Sequence, residues 1–132
     1  MTEKELWQTA RDAAENAYAP YSHFHVGAAL LTADGEVYTG VNIENASYGA
    51  TICAERTALF HAVKEGKRNF VMLAVAATDA DGHEQSAPPC GICRQALSEF
   101  CGKVFPVVFG TRERLQTVEL SDLLPCAFSI PD

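Results

Sequence analysis

The amino-acid sequence predicts an α/β fold, and three observations carry that prediction. Two β-prone runs flank Asp34-Gly35, Phe70 to Ala77 is nearly unbroken apolar sequence, and helical-period stretches alternate with strand-like ones thereafter. An uninterrupted apolar run suits a strand covered on both faces. Helices are therefore expected on both sides of a mixed sheet of about five strands, joined by right-handed crossovers.

In chain order, Thr2 with Glu5 has the pattern of a capping box ahead of Leu6, Trp7, Ala10, Ala13, Ala14 and Ala17. These share one helical face, and Pro20 is expected to end the helix. Val26 to Leu31 and Val37 to Ile43 read as an antiparallel hairpin closed by a two-residue Asp34-Gly35 turn. Asn45 to Thr51 is small and turn-like. Ala54, Ala58, Leu59, Ala62 and Val63 then recur at helical spacing up to Gly66, a C-cap, which sets Cys53 at a helix start. After the Phe70 to Ala77 strand, Asp79 to Pro89 has the composition of a loop and delivers Cys90. Cys93, Ala96, Leu97 and Phe100 continue as a helix stopped by Gly102. Val104 to Phe109 reads as a strand, with Pro106 pointing to a sheet edge, and Val118 to Leu124 as a short helix stopped by Pro125.

The 132 residues are expected to form one domain, 1–132, and 48% hydrophobic against 20% charged residues is the balance of a folding chain. A net charge of -7 disfavours a nucleic-acid partner, which calls for a basic surface. The N-terminus lacks a basic and apolar leader, and no apolar run nears the roughly 20 residues that span a bilayer, so a cytoplasmic protein without a membrane partner is expected. Five cysteines, an odd number in such a setting, favour metal or redox chemistry over a disulfide framework.

Their spacing narrows the choice. Cys53-Ala54-Glu55 together with Pro89-Cys90-Gly91-Ile92-Cys93 follows the pattern of zinc-dependent deaminases in its three-cysteine form. Three thiolates leave the fourth tetrahedral position of one Zn²⁺ per chain open to water, as a catalytic site requires. Both motifs fall at predicted helix N-termini, whose dipole and free N–H groups stabilise thiolates, and the i, i+3 spacing of Cys90 and Cys93 puts both on one face. Glu55 alone would read as a carboxylate placed on a helix dipole; beside Cys53 it reads as the proton carrier. Three thiolates around a divalent ion leave net negative charge, which Arg56 and Arg94 are placed to offset; a surface arginine paired with a carboxylate is the competing reading.

Beyond these motifs stand Tyr18-Ala19-Pro20-Tyr21-Ser22, Phe24 with Val26-Gly27-Ala28-Ala29, Asn42-Ile43-Glu44-Asn45-Ala46, Cys53-Ala54-Glu55-Arg56 and Pro89-Cys90-Gly91-Ile92-Cys93-Arg94-Gln95. With Leu123-Leu124-Pro125 and Ala127-Phe128, they make nearly the whole chain resemble the small cytidine deaminases of bacteria and animals. The resemblance implies a three-layer cytidine-deaminase-like fold and hydrolysis of cytidine and 2′-deoxycytidine to uridine and 2′-deoxyuridine plus ammonia. Hydroxide generated at zinc would attack C4, and Glu55 would carry protons from water to ring N3 and to the departing amine. It further implies that Asn42 and Glu44 grip the ribose 3′-hydroxyl, that Phe24 packs on the pyrimidine, and that backbone near Ala46 and Ala54 reads the base. A homotetramer is implied in which Tyr48 and Phe128 reach a neighbour's site. The residues alone leave other fates open: a polar outer strand face for Asn42 and Glu44, core positions for Phe24 and Phe128. Thr51-Ile52 and Cys126 depart from common family residues, and Cys101 and the four histidines receive no role.

Rival readings remain. Related deaminases act on guanine, blasticidin S or bases within polymers, although Asn42 and Glu44 argue for a free nucleoside. Cys90-x-x-Cys93 at a helix start fits a thiol–disulfide oxidoreductase, which leaves Cys53 and Glu55 unexplained. A structural zinc module would close its site with Cys101 or Cys126.

Overall fold

The first helix, α1 (Glu3–Ala13), begins with the expected capping box, in which the Glu5 N–H donates to the Thr2 hydroxyl and the Thr2 N–H to the Glu5 carboxylate. It ends before Pro20: Ala14–Asn16 tighten into a 3-10 turn, and Ala17 leaves in an extended conformation. The computed structural model describes residues 1–131. The remaining helices are α2 (Ala54–Lys64), α3 (Gly91–Phe100) and the one-turn α4 (Leu120–Leu123).

Six strands form one sheet: β1 (His25–Thr32), β2 (Val37–Val41), β3 (Phe70–Thr78), β4 (Glu84–Gln85), β5 (Pro106–Thr111) and β6 (Arg114–Glu119). Their order is β2-β1-β3-β5-β6, with β4 paired to the end of β3. Among the strands of the described residues only β3 and β5 pair in parallel, so the sheet is mixed, as expected. The β1–β2 hairpin differs from the expected two-residue turn. The Thr32 N–H donates to the Glu36 carbonyl, and Ala33, Asp34 and Gly35 form a three-residue loop in which Gly35 takes φ 90°. Pro106 is not at an edge. It is the first residue of β5, a position that tolerates a missing N–H, and β5 lies inside the sheet because β6 covers its other side.

Alternation along the strands separates two cores. Ala28, Leu30, Leu73, Val75, Val107 and Phe109 meet α2 and α3 on one face. Ala29, Met72, Ala74, Ala76 and Val108 meet Leu6, Trp7 and Ala10 of α1 on the other. Two glycines set how closely the helices approach the hairpin. A Cβ at Gly27 would collide with the Ala10 carbonyl of α1, and one at Gly40 with the Ala54 carbonyl and Ala58 nitrogen of α2. Thr57 reinforces the second contact, since its hydroxyl lies 2.9 Å from the Val41 carbonyl. The start of α2 is thus pinned to β2. At its far end, Gly66 (φ 88°) and Lys67 return N–H bonds to Val63 and Ala62, the expected glycine termination. Among the described residues, no helix is long and apolar enough to cross a membrane.

Candidate metal centre and active site

Cys53 and Cys90 are the N-caps of α2 and α3, both extended and neither accepting a side-chain capping bond. Both sulfurs thus stand at the positive ends of helix dipoles, where a thiolate is stabilised. Cys93 lies in the first turn of α3 and is buried. The three sulfurs fall within 4.8 Å of one another, with 3.6 Å between Cys53 and Cys90. A tetrahedral zinc with bonds near 2.3 Å separates its sulfurs by about 3.8 Å, so the cluster has the size, and the soft donors, that zinc requires. Cys101 and Cys126 are not part of the cluster.

The cluster favours ionisation of one thiol first. The Cys53 thiol is drawn down to about 5 by its hydrogen bond with Cys93, and further by Arg56, whose Nη2 sits 3.6 Å from its sulfur. The shared proton stays on Cys93, whose pKa is pushed far above that of a free thiol. Glu55 is only 4% exposed, and burial, joined by the nearby Cys53 charge, raises its carboxyl to about 7. A carboxyl in that range can both accept and release a proton near neutrality.

A cavity of about 220 Å³ opens over this cluster, lined by Phe24, Val26, Asn42, Thr51, Ile52, Cys53, Ala54, Glu55, Ala87, Pro88 and Cys90. It is smaller than the roughly 300 Å³ at which small-molecule sites begin. A neighbouring depression of about 280 Å³, lined by Tyr21, Ser22, Glu44, Asn45, Tyr48 and Thr51, shares Thr51 with it and extends the space outward.

The expected residues sort cleanly against this geometry. Phe24, Asn42, Ala54 and Glu55 join the thiols at the inner cavity, and Glu44 and Tyr48 lie in the outer depression. Ala46 is exposed and lines neither. Phe128 is 69% exposed and borders a separate cavity of about 540 Å³ between α3, α4 and the C-terminal segment, away from the thiols. Arg56 reaches the cluster. Arg94 spends its guanidinium on the Pro89 and Leu123 carbonyls instead. Asn42 ties the start of β1 to β2, donating to the Phe24 carbonyl (2.8 Å) and accepting from the Val26 N–H (2.9 Å).

Sequence reasoning did not anticipate Val26, Thr51, Ala87 and Pro88 as walls, or the embrace of Glu44 by the loop before β1. The Glu44 carboxylate accepts from the Tyr21 N–H (3.0 Å), the Ser22 N–H (3.1 Å) and the Ser22 hydroxyl. The available signal was the Pro88-Pro89 pair preceding Cys90 and the hydroxyl at Ser22.

Comparison with known proteins agrees with this arrangement. The family model described as cytidine and deoxycytidylate deaminase zinc-binding region matches residues 1–111. The chain is 49% identical to a cytidine deaminase of Halalkalibacterium halodurans, covering 100% of this chain and 98% of that protein. It is 47% identical to one of Sporosarcina psychrophila, covering 100% and 95%. The crystal structure of cytidine deaminase from Burkholderia pseudomallei superposes with a TM-score of 0.89 at 45% identity, over 97% of this chain and 100% of that one. With the thiol cluster inside the matched region and the likeness running from end to end, the chain belongs to the cytidine and deoxycytidylate deaminase zinc-binding family.

Proposed function

We propose that the protein hydrolyses cytidine and 2′-deoxycytidine to uridine and 2′-deoxyuridine with release of ammonia. The observation that carries this is a cluster of three thiols, two of which line one cavity together with a buried glutamate. Cys53, Cys90 and Cys93 would hold the zinc, which when bound supplies the Lewis acidity that makes water nucleophilic at neutral pH. Glu55, one residue inside α2 and shielded from solvent, accepts the proton of the attacking water and passes it to ring N3 so that C4 becomes electrophilic, then takes the proton of the new C4 hydroxyl and gives it to the departing amine as ammonia leaves. Arg56 lowers the negative charge of the thiolate set.

The inner cavity suits the pyrimidine, with Phe24 against its face, Asn42 at its edge and the Ala54 backbone in its wall. The outer depression suits the ribose, whose 3′-hydroxyl would meet Glu44. The family resemblance supports base recognition by backbone near Ala46 and a homotetramer in which Tyr48 and Phe128 complete a neighbour's site; the exposure of Tyr48 (83%) and Phe128 (69%) is compatible with burial by another copy.

The test is incubation of the zinc-loaded protein with cytidine, deoxycytidine, cytosine and CMP, following ammonia and the cytosine chromophore. Both nucleosides should turn over and the other two should not. Glu55→Ala should lose activity by about 10²- to 10⁴-fold while keeping its zinc. Absence of turnover with one zinc bound per chain would sink the assignment.

A further inference from the structure

α3 supplies one thiol from its N-cap and another from its first turn, but the residues that follow Cys93 serve a different part of the chain. Arg94 is half-buried, and its guanidinium donates from Nε to the Pro89 carbonyl (2.6 Å) and from Nη1 to the Leu123 carbonyl (2.8 Å). Gln95 Nε2 donates to the Phe128 carbonyl at 3.0 Å. Pro89 is buried and immediately precedes Cys90. The orientation of its carbonyl fixes the peptide from which the Cys90 side chain departs. Leu123 is the last residue of α4, where helix carbonyls lack intrahelical partners, and the C-terminal segment continues from it to Phe128. One planar fork therefore spans the turn that aims a thiol and the point where the C-terminal segment leaves the body. An ammonium on a flexible stem cannot reproduce that two-point bridge.

We propose that Arg94 is a positioning residue that latches the Pro89–Cys90 turn to the C-terminal segment, so that the geometry of the three-thiol site depends on where that segment is held. The inference rests on the zinc reading above and replaces a charge-offsetting role for Arg94 with a geometric one. Gln95 adds a second tether one residue along, fastening the segment at Phe128. Because binding linkage is reciprocal, whatever frees the segment weakens zinc retention, and zinc in turn steadies the segment.

The experiment measures zinc release from the intact holoprotein into a chromophoric chelator for the wild type, Arg94→Met and Arg94→Lys, with folding checked by circular dichroism. Both variants should release zinc faster, by about 10- to 100-fold for Arg94→Met, the usual effect of losing a residue that orients a ligand. Wild-type retention in Arg94→Met overturns the latch. So does full rescue by Arg94→Lys, because charge alone would then suffice. Should Arg94→Met fail to fold, the lysine variant decides on its own. A wild type that binds no zinc would fail the functional reading instead, so the two failures are distinguishable.

Discussion

Glu44, proposed above to meet the ribose, also serves the fold. Its carboxylate gathers the Tyr21 and Ser22 N–H groups and the Ser22 hydroxyl, and the Ser22 hydroxyl bond foremost holds its pKa below the usual 4.5. A depressed carboxylate pKa contributes stability that is fully present above 4.5 and is lost as pH falls through the lower folded-state value. The melting-temperature gap between the wild type and Glu44→Gln should therefore be largest near neutrality and close as pH falls below 4.5. A gap independent of pH would show that the carboxylate charge is immaterial. The thiols and Glu55 were legible in the sequence because their chemistry is written in residue type and short spacing. The donors around Glu44 and the acceptors of Arg94 were not, because most are backbone groups that every residue carries.

Among the elements, α2 matters most, since it presents both Cys53 and Glu55. Its seat on β2 depends on Gly40, where backbone meets backbone with no room for a methyl group. Gly40→Ala must push the helix start outward, and we expect a loss of about 1–3 kcal/mol in chemical denaturation together with weaker zinc binding. Unchanged stability and zinc affinity would mean that the sheet yields without moving α2. Element identity was readable where burial imposed a period: α1, β1, β3 and α3 followed their apolar spacing. β6 escaped because Arg114, Gln116, Thr117 and Glu119 leave most of it exposed, a pattern that resembles a polar connection until β5 is seen to need a partner. That same omission made Pro106 read as an edge residue.

For the whole molecule, the distribution of exposed apolar side chains is the main guide. Tyr48, Ile92, Phe128 and Ile130 are each more than 60% exposed, and they sit around the outer depression, the start of α3 and the C-terminal segment. In the proposed tetramer, Phe128 contributes from a neighbouring copy. Phe128→Ala should then raise KM about tenfold, the equivalent of roughly 1.4 kcal/mol for one aromatic contact, while sedimentation still shows four chains. A monomer with full activity would refute the shared site. The two glycines that face opposite layers add a constraint of another kind. Gly27 and Gly40 belong to adjacent rungs of the β1–β2 ladder, Gly27↔Val41 and Ala28↔Gly40, and one touches α1 while the other touches α2. At that level the three layers stack backbone on backbone without a compressible side chain between them at either glycine. Directed evolution toward bulkier nucleosides has little freedom there and must find its adaptable positions at the cavity rim, in Thr51, Ala87 and Pro88, where a change of side chain need not disturb the stack beneath.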